Sequence, residues 1–117
     1  MLARENRIVR GTDFRLVMRG GRRSASSTAV VYVRSRGDAS ASRFGFIVAK
    51  SVGDSVRRHL VTRRLRAIAR ESLVLTGTGM DVVVRALPGS AEAGWTTLQH
   101  DVSRALQKSV VEKGVQR

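Results

Sequence analysis

The apolar positions of this chain change period several times, and each change marks an element. Residues 1–11 carry no sustained rhythm and read as an extended arm. Phe14, Val17 and Met18 then fall at i, i+3 and i+4, the spacing of one helix face. Gly11 or Thr12 opens that helix, Asp13 sits in its first turn where a negative charge is favoured, and Gly20-Gly21 ends it. Ser27 to Arg34 is rich in β-branched and aromatic residues and predicts a strand with Val31 and Val33 on one side and Val30, Tyr32 and Arg34 on the other. Tyr32 is then either an exposed platform beside a cation or a tyrosine at the margin of the core. A turn-rich segment over residues 35–40 leads to a second strand from Arg43 to Lys50, and the two are expected to pair like a hairpin.

Beyond Lys50 the period returns to 3.6. Ser51 to Ser55 is a loop closed by a helix cap, and no Gly or Pro interrupts the chain from Ser55 to about Ser72. On that helix Val61, Leu65 and Ile68 form one narrow apolar stripe, opposed by an arc of Arg58, His59, Thr62, Arg63, Arg66 and Arg70. Gly77 and Gly79 mark a turn, and Asp81 to Ala86, with three valines at its centre, predicts a strand buried on both faces. After Pro88-Gly89 a last helix opens at Ser90 or Ala91, packing through Trp95, Leu98, Val102 and Leu106 and fraying from about Ser109. The pattern is that of one domain over residues 1–117, with no repeat and no linker.

Composition narrows what such a domain does. With 117 residues and 42% hydrophobic content, the chain is long enough for one core. It has no cysteine, which excludes disulfides and thiolate metal sites and fits a cytoplasmic location. Its apolar runs are strand-sized, too short to span a bilayer, and the amino terminus lacks the apolar stretch of a secretory signal. The formal charge is +13, and it is unevenly placed: residues 1–70 hold 17 cations and 4 acids, residues 71–117 hold 5 of each. Nineteen of the 22 cations are arginine, whose planar fork matches phosphate and stacks on bases, so the expected partner is a nucleic acid.

The candidate site is the run from Phe46 to Arg70. Helix-start N–H groups near Asp54 and Ser55, with Lys50 just before them, can attract an anion. Behind them come Arg57, Arg58, Arg63, Arg64, Arg66 and Arg70 without an interleaved Glu to neutralise them. A self-sufficient enzyme is disfavoured: only His59 and His100 are available, the acids are scattered, and the neighbouring His100 and Asp101 sit in the packing helix. Duplex DNA recognition is also disfavoured, because no second helix of a helix-turn-helix pair directly precedes the basic one.

At these residues the chain resembles the protein subunit family of bacterial ribonuclease P. That family carries a strand ending in Lys, a Val-Gly-Asn-Ala-Val helix start and an Arg-Asn-Arg-hydrophobic-Lys-Arg-x-x-Arg run. Here the register reads Lys50, Val52-Gly53-Asp54-Ser55-Val56 and Arg58-His59-Leu60-Val61-Thr62-Arg63-Arg64-Leu65-Arg66. Arg7-Ile8, Asp13-Phe14 and the strand from Asp81 to Val84 match further motifs. Departures fall on the signature: His59 stands for Asn, Leu60 for the second Arg and Thr62 for Lys, and Leu60 offers phosphate no charge.

The resemblance implies an α/β fold of order α-β-β-α-β-α, with a mixed four-stranded sheet packed on helices. It further implies a left-handed crossover, as in the second domain of ribosomal protein S5. It supplies the fourth strand, which the pattern alone does not. The implied role is an accessory subunit, with no catalytic residue of its own, of an endoribonuclease whose RNA removes the 5′ leader of precursor tRNA with Mg²⁺. Lys50, Arg57, Arg58, His59, Arg63, Arg64, Arg66 and Arg70 would meet the catalytic RNA. Phe14, Met18, Tyr32 and Arg66 would line the leader cleft. Asp54, in place of Asn, is a candidate to recruit hydrated metal, and no tightly bound ion or obligate protein partner is expected. The alternative is a structural RNA-binding protein such as a ribosomal protein, which the charge fits equally well.

Overall fold

The structure, a computed structural model, describes residues 2–115, with side chains through residue 110. Its elements are helix α1 (Gly11–Gly20), strands β1 (Arg22–Ala25), β2 (Ala29–Ser35) and β3 (Arg43–Ile47), helix α2 (Ser55–Thr76), strand β4 (Met80–Ala86) and helix α3 (Ser90–Val115). They form a mixed sheet in the order β1-β2-β4-β3. β1 is the strand that the hydrophobic pattern misses: Arg22-Arg23-Ser24-Ala25 has no apolar alternation, because it is a largely exposed edge.

The hairpin expected between β2 and β3 does not form. β2 folds back on β1 through a turn in which Ser26 Oγ accepts from the Ala29 N–H at 3.2 Å. The other edge of β2 pairs antiparallel with β4 over seven residues, from Ala29↔Ala86 to Ser35↔Met80. β3 lies beyond β4 and runs parallel to it, which requires the long crossover that α2 supplies. The reason is burial. Valines at 82 to 84 are apolar on both faces, so β4 is most stable in the middle of the sheet, a place a β2–β3 hairpin would deny it.

Each face of the sheet has its own core. Val31, Val33, Val82, Val84 and Phe44 pack under α2 and α3, against Val61, Leu65, Ile68, Leu98, Val102 and Leu106. The opposite face holds a smaller cluster of Val30, Tyr32 and Val83 with Ile8 and Val17. The arm is docked on the sheet: Leu2 and Ile8 are buried, and the Ile8 N–H donates to the Phe44 carbonyl at 2.9 Å.

Helix boundaries follow local chemistry. Asp54 caps α2 by accepting from the Arg57 N–H at 2.9 Å. The helix runs four residues past Ser72 because nothing breaks it before Gly77, whose positive φ of 61° closes it. α3 bends at Gly94, also at positive φ, then continues through Val115, with Ser109 buried; of the tail expected to fray from about Ser109, residues 116–117 and the side chains of residues 111–115 lie outside the described residues.

Candidate nucleic-acid interface

α2 buries the predicted stripe of Val61, Leu65 and Ile68, and this fixes where its arginines point. Arg63, Arg66, Arg70 and His59 are exposed and form no ion pair among the described residues. Arg57 reaches Glu92 at 3.7 Å with both side chains mostly in water, a contact of little energy. Arg64 donates to the Ala91 carbonyl at 3.3 Å, tying α2 to the start of α3. Arg58 is half-buried, and its Nε lies buried without a hydrogen-bond partner. Lys50 is exposed in a short 3₁₀ turn, Lys50–Val52, just before the helix. One expectation changes here: the Asp54 carboxylate already accepts from the Arg57 N–H, so the helix start is partly satisfied by the protein's own anion.

Beside the arginines lies a cavity of about 300 Å³. Its walls come from the arm (Arg7, Ile8), α1 (Phe14), β3 and the residues after it (Phe44, Gly45, Phe46, Val48) and α2 (Thr62, Arg66). Phe14 can lie against β3 because residue 45 is glycine: a Cβ there would stand 2.5 Å from the Phe14 ring. Arg7 is turned inward, donating to the Leu2 carbonyl at 2.7 and 3.0 Å, and so folds the arm around the cavity mouth. The Thr62 hydroxyl donates back to the Arg58 carbonyl at 2.8 Å.

Of the four residues expected in the cleft, the fold brings two together, Phe14 and Arg66. Tyr32 is only 7% exposed and packs in the smaller core, because its strand has neighbours on both sides and α1 lies across it. It is not a platform. Met18 packs against the same cluster. In their place stand Phe46 and Val48, at the start of the candidate run, which alternate with Phe44 on one side of the chain.

The end of the sheet away from the signature helix start is held by an ionic network that sequence reasoning did not foresee. Asp81, at 2% side-chain exposure, accepts from Arg43 Nε at 2.9 Å and Nη2 at 2.8 Å and also from Arg36. Arg43 Nη1 extends to Asp13 on α1 at 3.5 Å, while Arg36 reaches Asp38 and the carbonyls of Met80, Ser40 and Ala41. Burial pushes the Asp81 carboxyl up, but hydrogen bonds from Arg43 and Arg36 and their charge outweigh it and hold the group below the ordinary carboxylate value. Two arginines of the basic half are thus consumed internally, and one of them anchors the helix that carries Phe14. Among the described residues, no group of three or more His, Cys, Asp or Glu side chains converges as metal ligands, and Asp54 is a single carboxylate engaged in a cap.

Fold and site together define a small basic α/β protein whose free arginines flank an apolar cleft, an arrangement suited to a folded polyanion. Residues 2–110 match the family described as Ribonuclease P. A ribonuclease P protein component from Clavibacter michiganensis is 43% identical over 110 residues, covering 94% of this chain and 97% of that one. One from Pseudarthrobacter chlorophenolicus is 44% identical over 110 residues, covering 94% and 81%. Among solved structures, the RNase P protein of Staphylococcus aureus superposes with a TM-score of 0.74 at 23% identity, covering 87% of this chain and 93% of the other. That of Thermotoga maritima gives 0.75 at 25%, covering 87% and 96%. The chain belongs to the ribonuclease P protein family.

Proposed function

We propose that this chain grips the catalytic RNA of ribonuclease P through α2 and holds the 5′ leader of precursor tRNA in the cleft between α1, β3 and α2. In this way it assists Mg²⁺-dependent removal of the leader in the cytoplasm. The observation that carries this reading is the row of Arg63, Arg66 and Arg70, unpaired among the described residues, beside a cavity walled by Phe14 and Phe46. Cations follow the phosphates, each neutralised phosphate releasing counterions, and the aromatic wall takes a base face. Bond breaking belongs to the RNA, where Mg²⁺ supplies charge stabilisation when bound; the protein's residues orient and clamp. Among the described residues no helix is long and apolar enough to cross a membrane.

Reconstitution tests this directly. With the cognate RNA at limiting Mg²⁺, adding the chain should raise cleavage of leader-bearing precursor and leave binding of mature tRNA little changed. Equal affinity for precursor, mature tRNA and duplex DNA would make the chain a generic structural RNA-binding protein.

A further inference from the structure

The first two turns of α2 carry a surface that the cleft does not use. Val56, His59, Leu60 and Arg63 are spaced i, i+3, i+4 and i+7, so they share one helix face. With Ser55 they bound an open cavity of about 640 Å³. Val56 is 75% exposed, His59 and Arg63 are exposed, and Leu60 is half-buried. An apolar floor at the start of the most cationic helix of a +13 chain needs an occupant that is negative overall and apolar locally. A second copy fails on the first count, since Arg57, Arg58, Arg63 and Arg64 would meet their own kind.

We propose that this face takes an unstacked base of the partner RNA. The base lies on Val56 and Leu60, the His59 imidazole stacks against it, and Arg63 holds the adjoining phosphate. The proposal rests on the function proposed above and deepens it at two positions, 59 and 60, where the resembling signature carries Asn and Arg. Leu60 carries no charge there and, beside His59, offers a nucleobase an apolar surface.

The test is affinity for the catalytic RNA across a salt series, with dimethyl sulfate probing of unpaired bases. Val56→Ser with Leu60→Ser should weaken binding about ten-fold at every salt concentration without changing the slope, because no phosphate contact is lost. It should also expose a base that the wild type protects. Val56→Ser alone, at a mostly exposed position, should move the same way and guards against a folding defect, which thermal unfolding monitors. Leu60→Arg should steepen the slope by about 0.7–0.9, the signature of one added phosphate contact, and lose the protection. Unchanged affinity and protection in the serine variants would overturn the proposal, as would a loss of self-association in sedimentation in place of a loss of RNA binding. If the wild type itself fails to bind the RNA, the underlying functional reading falls first, so the two failures are distinguishable.

Discussion

The arginines at the Asp81 end of the sheet and those on α2 are chemically identical and do opposite things. Arg36 and Arg43 are closed in by Asp81, Asp38 and Asp13 and by backbone carbonyls, and they hold the loop after β2, β3 and α1 in place. Arg63, Arg66 and Arg70 stand exposed on a helix surface and form no ion pair among the described residues. Neighbouring acids decide the matter: where a carboxylate is buried alongside, the guanidinium is structural, and where none is, its charge remains available to phosphate. A count of cations overstates the binding surface unless the paired ones are set aside.

The largest effect should come from breaking the structural set. Asp81→Ala leaves two guanidinium groups facing each other in a partly buried site, and removing one partner of a buried pair costs about 3–5 kcal/mol. Denaturant unfolding should show that loss, together with weaker leader binding as α1 loses its anchor through Arg43. Wild-type stability in Asp81→Ala would mean the network is decorative.

The functional set should respond in the reverse sense. Arg66→Ala with Arg70→Ala, both at exposed positions, should leave the unfolding midpoint near wild type, yet lower the salt slope of RNA binding by about 0.7–0.9 per arginine. Arg104→Ala with Lys108→Ala, on exposed positions of α3, should lower it far less. Equal losses from the two pairs would show that charge is used wherever it stands.

A third variant joins the two regions. Gly45→Ala places a methyl group 2.5 Å from the Phe14 ring, so Phe14 must shift out of the cleft. Overpacking of this kind costs about 1–3 kcal/mol. Leader-dependent affinity should drop while affinity for the catalytic RNA alone, measured without precursor, stays near wild type.

The smallest effect at neutral pH is a titration. Because Asp81 is held below its ordinary value, its ionic contribution is complete above the unfolded carboxyl pKa of about 4 and is lost as pH falls through the lower folded value. Urea midpoints should therefore hold between pH 7 and 5 and fall below pH 4. Asp81→Asn should flatten that acid limb. An unchanged limb would assign acid sensitivity to other carboxylates.

The sequence by itself determined what is local. Periodicity gave α1, α2 and the strands β2 and β4 with the right buried faces, down to Val31 and Val33 opposite Val30 and Tyr32. Asp54 announced its own helix, and the crowding of arginines without acids after it located the basic surface. These features depend on neighbours within a turn or two, so composition and spacing carry them. Only the tertiary structure decided that β4 parts β2 from β3, that a polar edge strand exists at all, that Tyr32 is buried and that Arg36 and Arg43 are spent on Asp81. Strand pairing and ion pairing across 38 or 45 residues depend on which arrangement buries the three valines of β4 best. That is a property of the whole packed sheet, which no window of sequence contains.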